Sequence, residues 1–199
     1  MTSVGDAYSK RAGEYVAALG TMESVHADDR ELVGEWATGI AGRVLDVGCG
    51  PGHWTHFLHT RGVDIEGVDL VRAFIASART RFPEVRYRVA ALDALDLRDA
   101  ALAGVLSWYS TIHTPPERMG VVLREFARCL EPGGGLLLGF FEGPAIERFD
   151  HAVVAAYRWS FEALSAELRS AGFDVEATHA RADRESRPHG VIVARKRDI

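Results

Sequence analysis

Short apolar runs and longer segments of mixed polarity alternate along the chain from Arg43 onward. The run 43–47 is short, has β-branched apolar residues at Val44 and Val47 with Leu45 between them, and is followed by glycines, which is typical of a strand buried in a parallel sheet. Further strands are predicted at 63–69, 85–91, 104–109 and 136–141. Helical spacing predicts helices between these strands at 53–60, 71–81 and 116–130.

The two ends of the chain add further elements. Residues 8–19 and 28–38 have helical spacing, so two helices are predicted ahead of the first strand. Near the other end, Ser160 is a suitable N-cap for a helix that ends at Ala171-Gly172. The segments 173–180 and 190–196 read as a closing antiparallel pair of strands.

Alternation of strands and helices predicts a mostly parallel α/β sheet with right-handed crossovers. The chain shows no internal repeat, linker or low-complexity segment. We therefore expect one domain over residues 1–199, with N-terminal helices at 1–40 and a ligand-binding core at 41–199.

The connection 143–159 is longer than the usual link between a strand and a helix. The segment is rich in aromatic side chains, several of which carry a polar group, so it could form part of a substrate pocket. These side chains are Phe149, His151, Tyr157 and Trp159. The preferred interpretation is that 152–156 forms a packed helix with the aromatic residues on its core face.

The composition of the chain limits the classes of binding partner that are expected. Hydrophobic residues make up 47% and charged residues 26% of the chain, as in globular proteins, and the formal net charge is -5. A negative chain repels a phosphate backbone, so we expect a small-molecule partner and no nucleic acid. The N-terminus has no signal-peptide pattern and no apolar run could span a bilayer, so a cytoplasmic protein without membrane contact is expected. Cys49 and Cys129 lack metal-ligand spacing, so no metal is expected.

A glycine loop, Asp46-Val47-Gly48-Cys49-Gly50-Pro51-Gly52, follows the first strand and precedes a helix. Its glycines let a ligand approach the backbone closely, at the strand ends where open α/β sheets bind ligands. The dinucleotide spacing G-x-G-x-x-G is absent, because His53 stands where its third glycine would be. Asp46 would repel a pyrophosphate but attract an ammonium group, which favours a cationic adenosyl ligand over NAD.

Residues 44–52 resemble the first motif of class I S-adenosylmethionine-dependent methyltransferases. The resemblance implies a Rossmann-like, doubly wound, seven-stranded sheet, mostly parallel with a C-terminal antiparallel strand and helices on both faces. Asp69 resembles the acidic residue that binds the ribose hydroxyls, and Asp93-Ala94 the pair that reads the adenine edge. Residues 123–138 resemble the region that turns into the fifth strand of the family.

The N-terminal segment is open to two interpretations. It resembles the family's Y-x-x-x-A-x-x-Y helix, which implies that Tyr8, Arg11 and Tyr15 close over the cofactor. The alternative is a surface helix whose tyrosines dock on the sheet edge.

The resemblance also implies that residues 107–109 pass near the methionine end of the cofactor, although Trp108 or Tyr109 could equally point into the core.

The cofactor-binding set implied by the resemblance comprises Tyr8, Arg11, Tyr15, Asp46, Gly48, Cys49, Gly50, Pro51, Gly52, His53, Trp54, Asp69, Leu70, Asp93, Ala94, Leu95, Ser107, Trp108, Tyr109 and Ile112. His113 is the candidate general base, because its ordinary pKa of about 6.5 suits proton removal near neutral pH. The competing interpretation is a histidine that only hydrogen-bonds the backbone.

The expected reaction is direct transfer of a methyl group from S-adenosylmethionine to a small-molecule acceptor, with S-adenosylhomocysteine as the product. At this stage the acceptor atom is open among oxygen, nitrogen, sulfur and carbon. The alternative function is a regulatory protein that binds S-adenosylmethionine without catalysis. Either a monomer or a homodimer is expected.

Overall fold

The computed structural model describes residues 4–182 and 187–198, without the side chains of residues 10, 15 and 17–19. The α-helices in this part of the chain are α1 (Val4–Lys10), α2 (Ala12–Leu19), α3 (Ala27–Thr38), α4 (His53–His59), α5 (Arg72–Arg81), α6 (Pro116–Cys129) and α7 (Phe161–Ser170). The strands are β1 (Val44–Val47), β2 (Ile65–Asp69), β3 (Arg86–Val89), β4 (Leu102–Trp108), β5 (Leu130–Glu142), β6 (Glu147–Phe149), β7 (Ala156–Trp159), β8 (Phe173–Arg181) and β9 (His189–Lys196). Within the described residues, none of the helices has the length and hydrophobicity needed to cross a bilayer.

Seven of the strands form one continuous sheet in the order β3-β2-β1-β4-β5-β9-β8. The first five of these run parallel to their neighbours, whereas β9 is antiparallel to both β5 and β8. The expected mostly parallel sheet with a C-terminal antiparallel strand is confirmed, and β7 and β6, attached to the end of β5, extend these seven strands to nine. The strand order reverses between β1 and β4, which is where folds of this kind bind ligands.

Helices cover both faces of this sheet. Leu136 and Leu138 of β5 belong to the same buried cluster as Phe126 of α6. Leu137 lies between them and belongs to a second cluster, together with Val33 of α3. Successive side chains of a strand point to opposite faces, so these two clusters are the two cores of a doubly wound fold.

A β-hairpin of β6 and β7 replaces the helix that was expected at 152–156, so that expectation is wrong. β4 ends at Trp108, opposite Gly139, and the backbone of β5 beyond this point lacks a partner from β4. β7 supplies the missing partner strand. Phe141 of β5 pairs with Arg158 of β7 on one side and with His189 of β9 on the other. The need to satisfy these backbone groups outweighs the helical propensity of the alanine-rich segment.

The first leading helix is also interrupted, contrary to expectation. Arg11 has φ −117° and ψ 14°, and it separates α1 from α2. Its backbone N–H donates to the Tyr8 carbonyl at 3.1 Å, and its guanidinium donates to the Ala152 carbonyl and the Glu14 carboxylate. The break thus ties the N-terminal segment to the loop between β6 and β7.

Candidate active site

A cavity of about 850 Å³ opens at the carboxyl ends of β1, β2 and β4, where the strand order reverses. Its floor is the glycine loop between β1 and α4. α1 and the 3₁₀ turn Met22–Ser24 contribute residues on one side, and β5 and the β6–β7 loop contribute residues on the other. The cavity therefore combines the expected ligand-binding edge of the sheet with N-terminal and hairpin segments.

The glycine loop depends on left-handed backbone that other residues rarely adopt. Gly48, Gly50 and Gly52 have φ values of 74°, 54° and 82°. A Cβ atom at Gly48 would overlap with the side chain of Ser110, so glycine is required there for two reasons. The N–H groups of Gly48 and Cys49 donate to the Val68 carbonyl at 2.7 and 2.9 Å, which fixes the loop against β2.

Asp69 stands at the end of β2 with 9% of its surface exposed. Its two carboxylate oxygens accept hydrogen bonds from the backbone N–H groups of Gly50, at 2.9 Å, and Val71, at 2.7 Å. Burial raises the pKa of Asp69, and these two hydrogen bonds act in the opposite direction. Each carboxylate oxygen has a second lone pair, so the group can also accept from a ligand's hydroxyls.

Asp46 lies at the bottom of the cavity and is almost fully buried. Thr55 of α4 donates its hydroxyl to Asp46 Oδ2 at 2.7 Å. Burial, together with the charge of Asp69, raises the pKa of Asp46 to about 7. A buried carboxylate that has no cationic partner among the described residues is suited to a ligand that brings its own cation.

His113 is held on both of its ring nitrogens. The carbonyl of Ala155 can only accept, so at 2.9 Å it fixes the proton on Nδ1. Nε2 is then the basic nitrogen, and it accepts from the Tyr8 hydroxyl at 2.8 Å. Burial lowers the pKa of His113 below its usual 6.5, which keeps the ring neutral at physiological pH. One ring nitrogen thus bonds the backbone and the other faces a hydroxyl, and the role of His113 as a base stays a prediction.

The residues after β4 carry backbone strain. Tyr109 has φ 55°, which is uncommon for a bulky residue and marks a constrained position. Its hydroxyl is hydrogen-bonded to Nδ1 of His189, and burial raises its pKa. Trp108 and Tyr109 both line the cavity, and the Trp108 ring also packs over Gly139 and 5.4 Å from the Trp54 ring.

His53 begins α4 directly after the glycine loop and lines the cavity. Burial and the charge of Arg81 lower its pKa to about 4. Its Nδ1 atom is buried without a hydrogen-bond partner among the described residues. The side chain is therefore a neutral, polar part of the cavity wall.

Most of the residues singled out from the sequence come together in this cavity, including Tyr8, Asp46, Gly48, Cys49, Gly50, Pro51, His53, Trp54, Asp69, Leu70, Asp93, Trp108, Tyr109, Ile112 and His113. The residues that the structure places outside the cavity lining are Arg11, Gly52, Ala94, Leu95 and Ser107. The side chain of Tyr15 lies outside the described part of the chain.

Ala94 and Leu95, which were expected to help bind an adenine ring, have their backbone N–H groups engaged within the protein instead. The N–H of Ala94 donates to the Ala91 carbonyl at 3.2 Å, so it does not point to a ligand. Leu95 is fully buried in the core, and its N–H donates to Glu125 at 2.8 Å. The loop turns inward after Asp93 because Leu95 is apolar and packs under α6.

The other outlying residues have structural roles. Arg11 bonds the hairpin loop and Glu14 rather than a ligand. A Cβ atom at Gly52 would meet the Tyr87 ring at 2.7 Å, so this glycine allows close packing of α4. Ser107 is buried, with its Oγ atom 2.7 Å from that of Ser110.

Sequence reasoning missed several lining residues, namely Asp29, Phe74, Arg118, Phe141, Arg181 and His189. Three of these residues take part in ion pairs. Arg118 pairs with the predicted Asp93 and Arg181 pairs with Asp29, each with an N–O distance of 2.8 Å. The partners of the second pair stand 152 positions apart. No local pattern signals a contact between residues so far apart in the chain.

Comparison with known proteins agrees with this geometry. Residues 44–134 match the family model described as a methyltransferase domain. Trans-aconitate 2-methyltransferase of Variovorax paradoxus is 30% identical over 135 residues, covering 66% of this chain and 51% of that protein. The chain spans about half, or less, of the length of the curated relatives that it matches.

Solved structures share the fold over the whole chain. Burkholderia thailandensis 1,6-didemethyltoxoflavin-N1-methyltransferase, solved with S-adenosylhomocysteine, has a TM-score of 0.76 at 21% identity, over 100% of this chain and 92% of that chain. The [4+2]-cyclase SpnF has a TM-score of 0.81 at 18% identity, over 98% and 96%. At these identities the likeness establishes the fold, while the family model and the sequence relatives identify the domain. Residues 44–134 thus belong to the methyltransferase domain family, and the chain as a whole has the fold of S-adenosylmethionine-dependent methyltransferases.

Proposed function

We propose that this protein transfers the methyl group of S-adenosylmethionine to a small-molecule acceptor. The observation that carries the proposal is the set of three carboxylates, Asp46, Asp69 and Asp93, that line one cavity around the glycine loop. Such a set suits a ligand with an ammonium group and hydroxyls and would repel a pyrophosphate. The family membership supports the same ligand.

Each carboxylate has a distinct part in cofactor binding. Asp69 accepts from the ribose hydroxyls, because its oxygens are held in place by the N–H groups of Gly50 and Val71. Asp46 faces the ammonium of the methionine portion, whose charge offsets the cost of an ionised buried carboxyl. Asp93, held by Arg118, lies at the adenine end, with Leu92 as apolar wall.

When bound, S-adenosylmethionine supplies a methyl group activated by a positively charged sulfur. The protein aligns the acceptor with this methyl group and excludes water, which can lower the barrier by about 7–11 kcal/mol in favourable cases. No protein nucleophile is needed for a direct displacement.

Proton removal from the acceptor falls to His113. Its Nδ1 proton is committed to the Ala155 carbonyl, so Nε2 is the atom that takes up a proton. The Tyr8 hydroxyl donates to Nε2 and lies at the cavity wall. An acceptor O–H or N–H that donates to Tyr8 Oη would pass its proton through the hydroxyl to His113, and the phenol stays neutral.

A small acceptor is supported by the cavity volume of about 850 Å³, which is in the range of small-molecule sites, and by the net charge of -5, which disfavours nucleic acid. The relatives named for trans-aconitate also act on a small molecule. A monomer or a homodimer remains the proposed assembly.

Calorimetric titration of the purified protein with S-adenosylhomocysteine, and separately with NAD⁺, tests the cofactor assignment. We expect S-adenosylhomocysteine to bind, NAD⁺ to give no heat, and Asp69→Ala to weaken the first interaction at least about 30-fold. The matched control is Asp64→Ala, which removes an exposed carboxylate at the opposite end of the β2 region. Binding of NAD⁺ alone would overturn the proposal. Binding of S-adenosylhomocysteine with no methyl transfer to any acceptor would instead indicate a regulatory protein.

A further inference from the structure

One part of the cavity has a wall of aromatic rings. In the described part of the chain this wall, here called the ring chamber, consists of Tyr8, Tyr109, His113, Phe141, His151 and His189. The rings come from α1, the segment after β4, the end of β5, the β6–β7 loop and the start of β9. The hairpin that replaced the expected helix is what brings His151 to this wall.

The rings of the chamber form a continuous series of contacts. Centroid distances along it are 5.4 Å for Tyr8–His113, 5.2 Å for His113–His151 and 6.0 Å for His151–Phe141. The series continues at 5.0 Å for Phe141–Tyr109 and 5.5 Å for Tyr109–His189. Spacings of this size are those of interacting aromatic pairs.

None of these pairs is stacked in parallel. The angles between ring planes along the series lie between 45° and 81°. Tilted and edge-to-face contacts do not cover two ring faces against each other, as a parallel stack would. A planar ligand can therefore contact both the edges and the faces of the chamber rings, and this geometry favours aromatic ligands.

The ring chamber is poor in charge. None of its six side chains is a carboxylate or an ammonium group, and burial lowers the pKa values of His113 and His151, the second to about 4. The guanidinium of Arg181, which lines the same cavity, is paired with Asp29. An acceptor with a carboxylate or ammonium group would lose its hydration here without a charged partner among the six chamber side chains. A cation does stand beside the chamber, since the guanidinium of Arg187 lies 5.9 Å from the centre of the Phe141 ring and its charge contributes to the lowered pKa of His151, but Arg187 does not line the cavity.

One edge of the chamber is nevertheless reactive. His113 and the Tyr8 hydroxyl stand at this edge, and Nε2 of His113 is available as a base through that hydroxyl. A guest that lies flat among the rings would present an O–H or N–H at its rim to this pair. The chamber thus combines a wall of aromatic rings with a basic position at His113.

We propose that the ring chamber binds a planar, uncharged aromatic or heteroaromatic acceptor and that methylation occurs at an O–H or N–H on its ring. This inference rests on the proposed function. In the step, the acceptor proton passes to His113 while the acceptor oxygen or nitrogen forms a bond to the methyl carbon. The electron pair of the breaking carbon–sulfur bond stays on sulfur, so charge and atoms balance.

The test uses the full chain saturated with S-adenosylhomocysteine, whose binding is verified first by calorimetry. Ligand-observed saturation-transfer NMR then compares naphthols and hydroxyquinolines with decalols, which have a similar size but no aromatic ring, and with the tricarboxylate tricarballylate. The variants are Phe141→Leu and His151→Leu, and the matched control is Phe82→Leu, which removes a ring outside the cavity. With S-adenosylmethionine, methylated product is measured for the same compounds.

We expect saturation transfer and methyl transfer to the aromatic compounds only, with binding about tenfold weaker in Phe141→Leu and His151→Leu and unchanged in Phe82→Leu. Contact with decalols equal to that with naphthols, an unchanged signal in both chamber variants, or methylation of tricarballylate would overturn the inference while leaving the proposed function intact. Failure of S-adenosylhomocysteine to bind would overturn the proposed function, and the inference with it.

Discussion

The hydroxyl oxygen of Tyr8 lies 2.8 Å from Nε2 of His113, although the two residues are 105 positions apart. The Tyr8 ring also contacts Phe74 of α5, with centroids 5.9 Å apart. One side chain of α1 therefore joins an N-terminal helix to the candidate base and to the helix that follows Asp69. Removal of α1 would expose His113 to water and raise the polarity of its surroundings.

His113→Gln tests the base. We expect kcat to fall about 10²–10⁴-fold for an acceptor of high pKa, because the basic nitrogen is lost. Since burial lowers the pKa of His113, wild-type activity should rise with pH to a plateau, and the midpoint of the rise should lie below pH 6.5. That rise should vanish in the variant, as measured by steady-state rates between about pH 5 and 9. His179→Gln, an exposed histidine on β8, should keep the wild-type profile. An unchanged profile in His113→Gln would refute the assignment.

Tyr8→Phe tests the proton path. The change retains the ring and its contacts with His113 and Phe74 but deletes the hydroxyl. We expect kcat to decrease about tenfold while affinity for S-adenosylhomocysteine changes less than about threefold. Rates and calorimetric affinities measured side by side would decide this. Equal losses in both quantities would assign Tyr8 to cofactor binding instead.

The variant Asp46→Asn tests how far the buried carboxyl group lowers the free energy of unfolding at high pH. In the folded state its pKa is about 7, against 3.8 as the ordinary value, so the folded protein holds this proton to higher pH than the unfolded chain. The resulting contribution to stability is full below about pH 4 and is lost as pH rises to about 7. Asp46→Asn should therefore raise the free energy of unfolding of the ligand-free protein by on the order of 2–4 kcal/mol at pH 8 and by little near pH 4.

Urea unfolding at the two pH values measures this effect, and Asp64→Asn is the exposed control. The same Asp46→Asn variant should bind S-adenosylhomocysteine more weakly, because the ammonium loses its counter-charge. A variant that is less stable than wild type at pH 8 would contradict the assigned environment of Asp46.

Gly48→Ala tests the glycine loop. Gly48 and Gly62 have φ values of 74° and 83°, but a Cβ atom overlaps with Ser110 only at Gly48, whereas nothing lies within 4 Å at Gly62. Gly62→Ala should cost about 1–2 kcal/mol from backbone strain alone. Gly48→Ala should cost clearly more, and adding Ser110→Gly should recover part of the difference. Equal unfolding free energies for the two alanine variants would argue against the close approach.

Much of the fold follows from local patterns. β1 and the glycine loop combine an apolar run with left-handed glycines, and both signals lie within nine residues. The hairpin was missed because the alanine-rich 152–156 favours a helix locally, while the decisive factor is the unpaired edge of β5 beyond Trp108. That edge exists only once the sheet is assembled.

The candidate site divides in the same way. Asp46, Asp69 and His113 stand at strand ends or in the adjoining loops, so the topology alone brings them together. The Tyr8–His113 bond and the Arg181–Asp29 pair connect distant parts of the chain and leave no trace in local sequence. Ala94 and Leu95 were misassigned because the loop after Asp93 turns into the core to bury Leu95.

Within the described residues, the β6–β7 hairpin pairs with the main sheet through Phe141 and Glu142 of β5 alone, and it contains none of the carboxylates proposed to bind the cofactor. An exchange of residues 143–159 between relatives would thus alter the wall that meets the acceptor and leave the nucleotide half unchanged. In evolutionary terms, the hairpin is a replaceable module: selection can diversify which compounds are methylated while the machinery for the methyl donor is inherited intact.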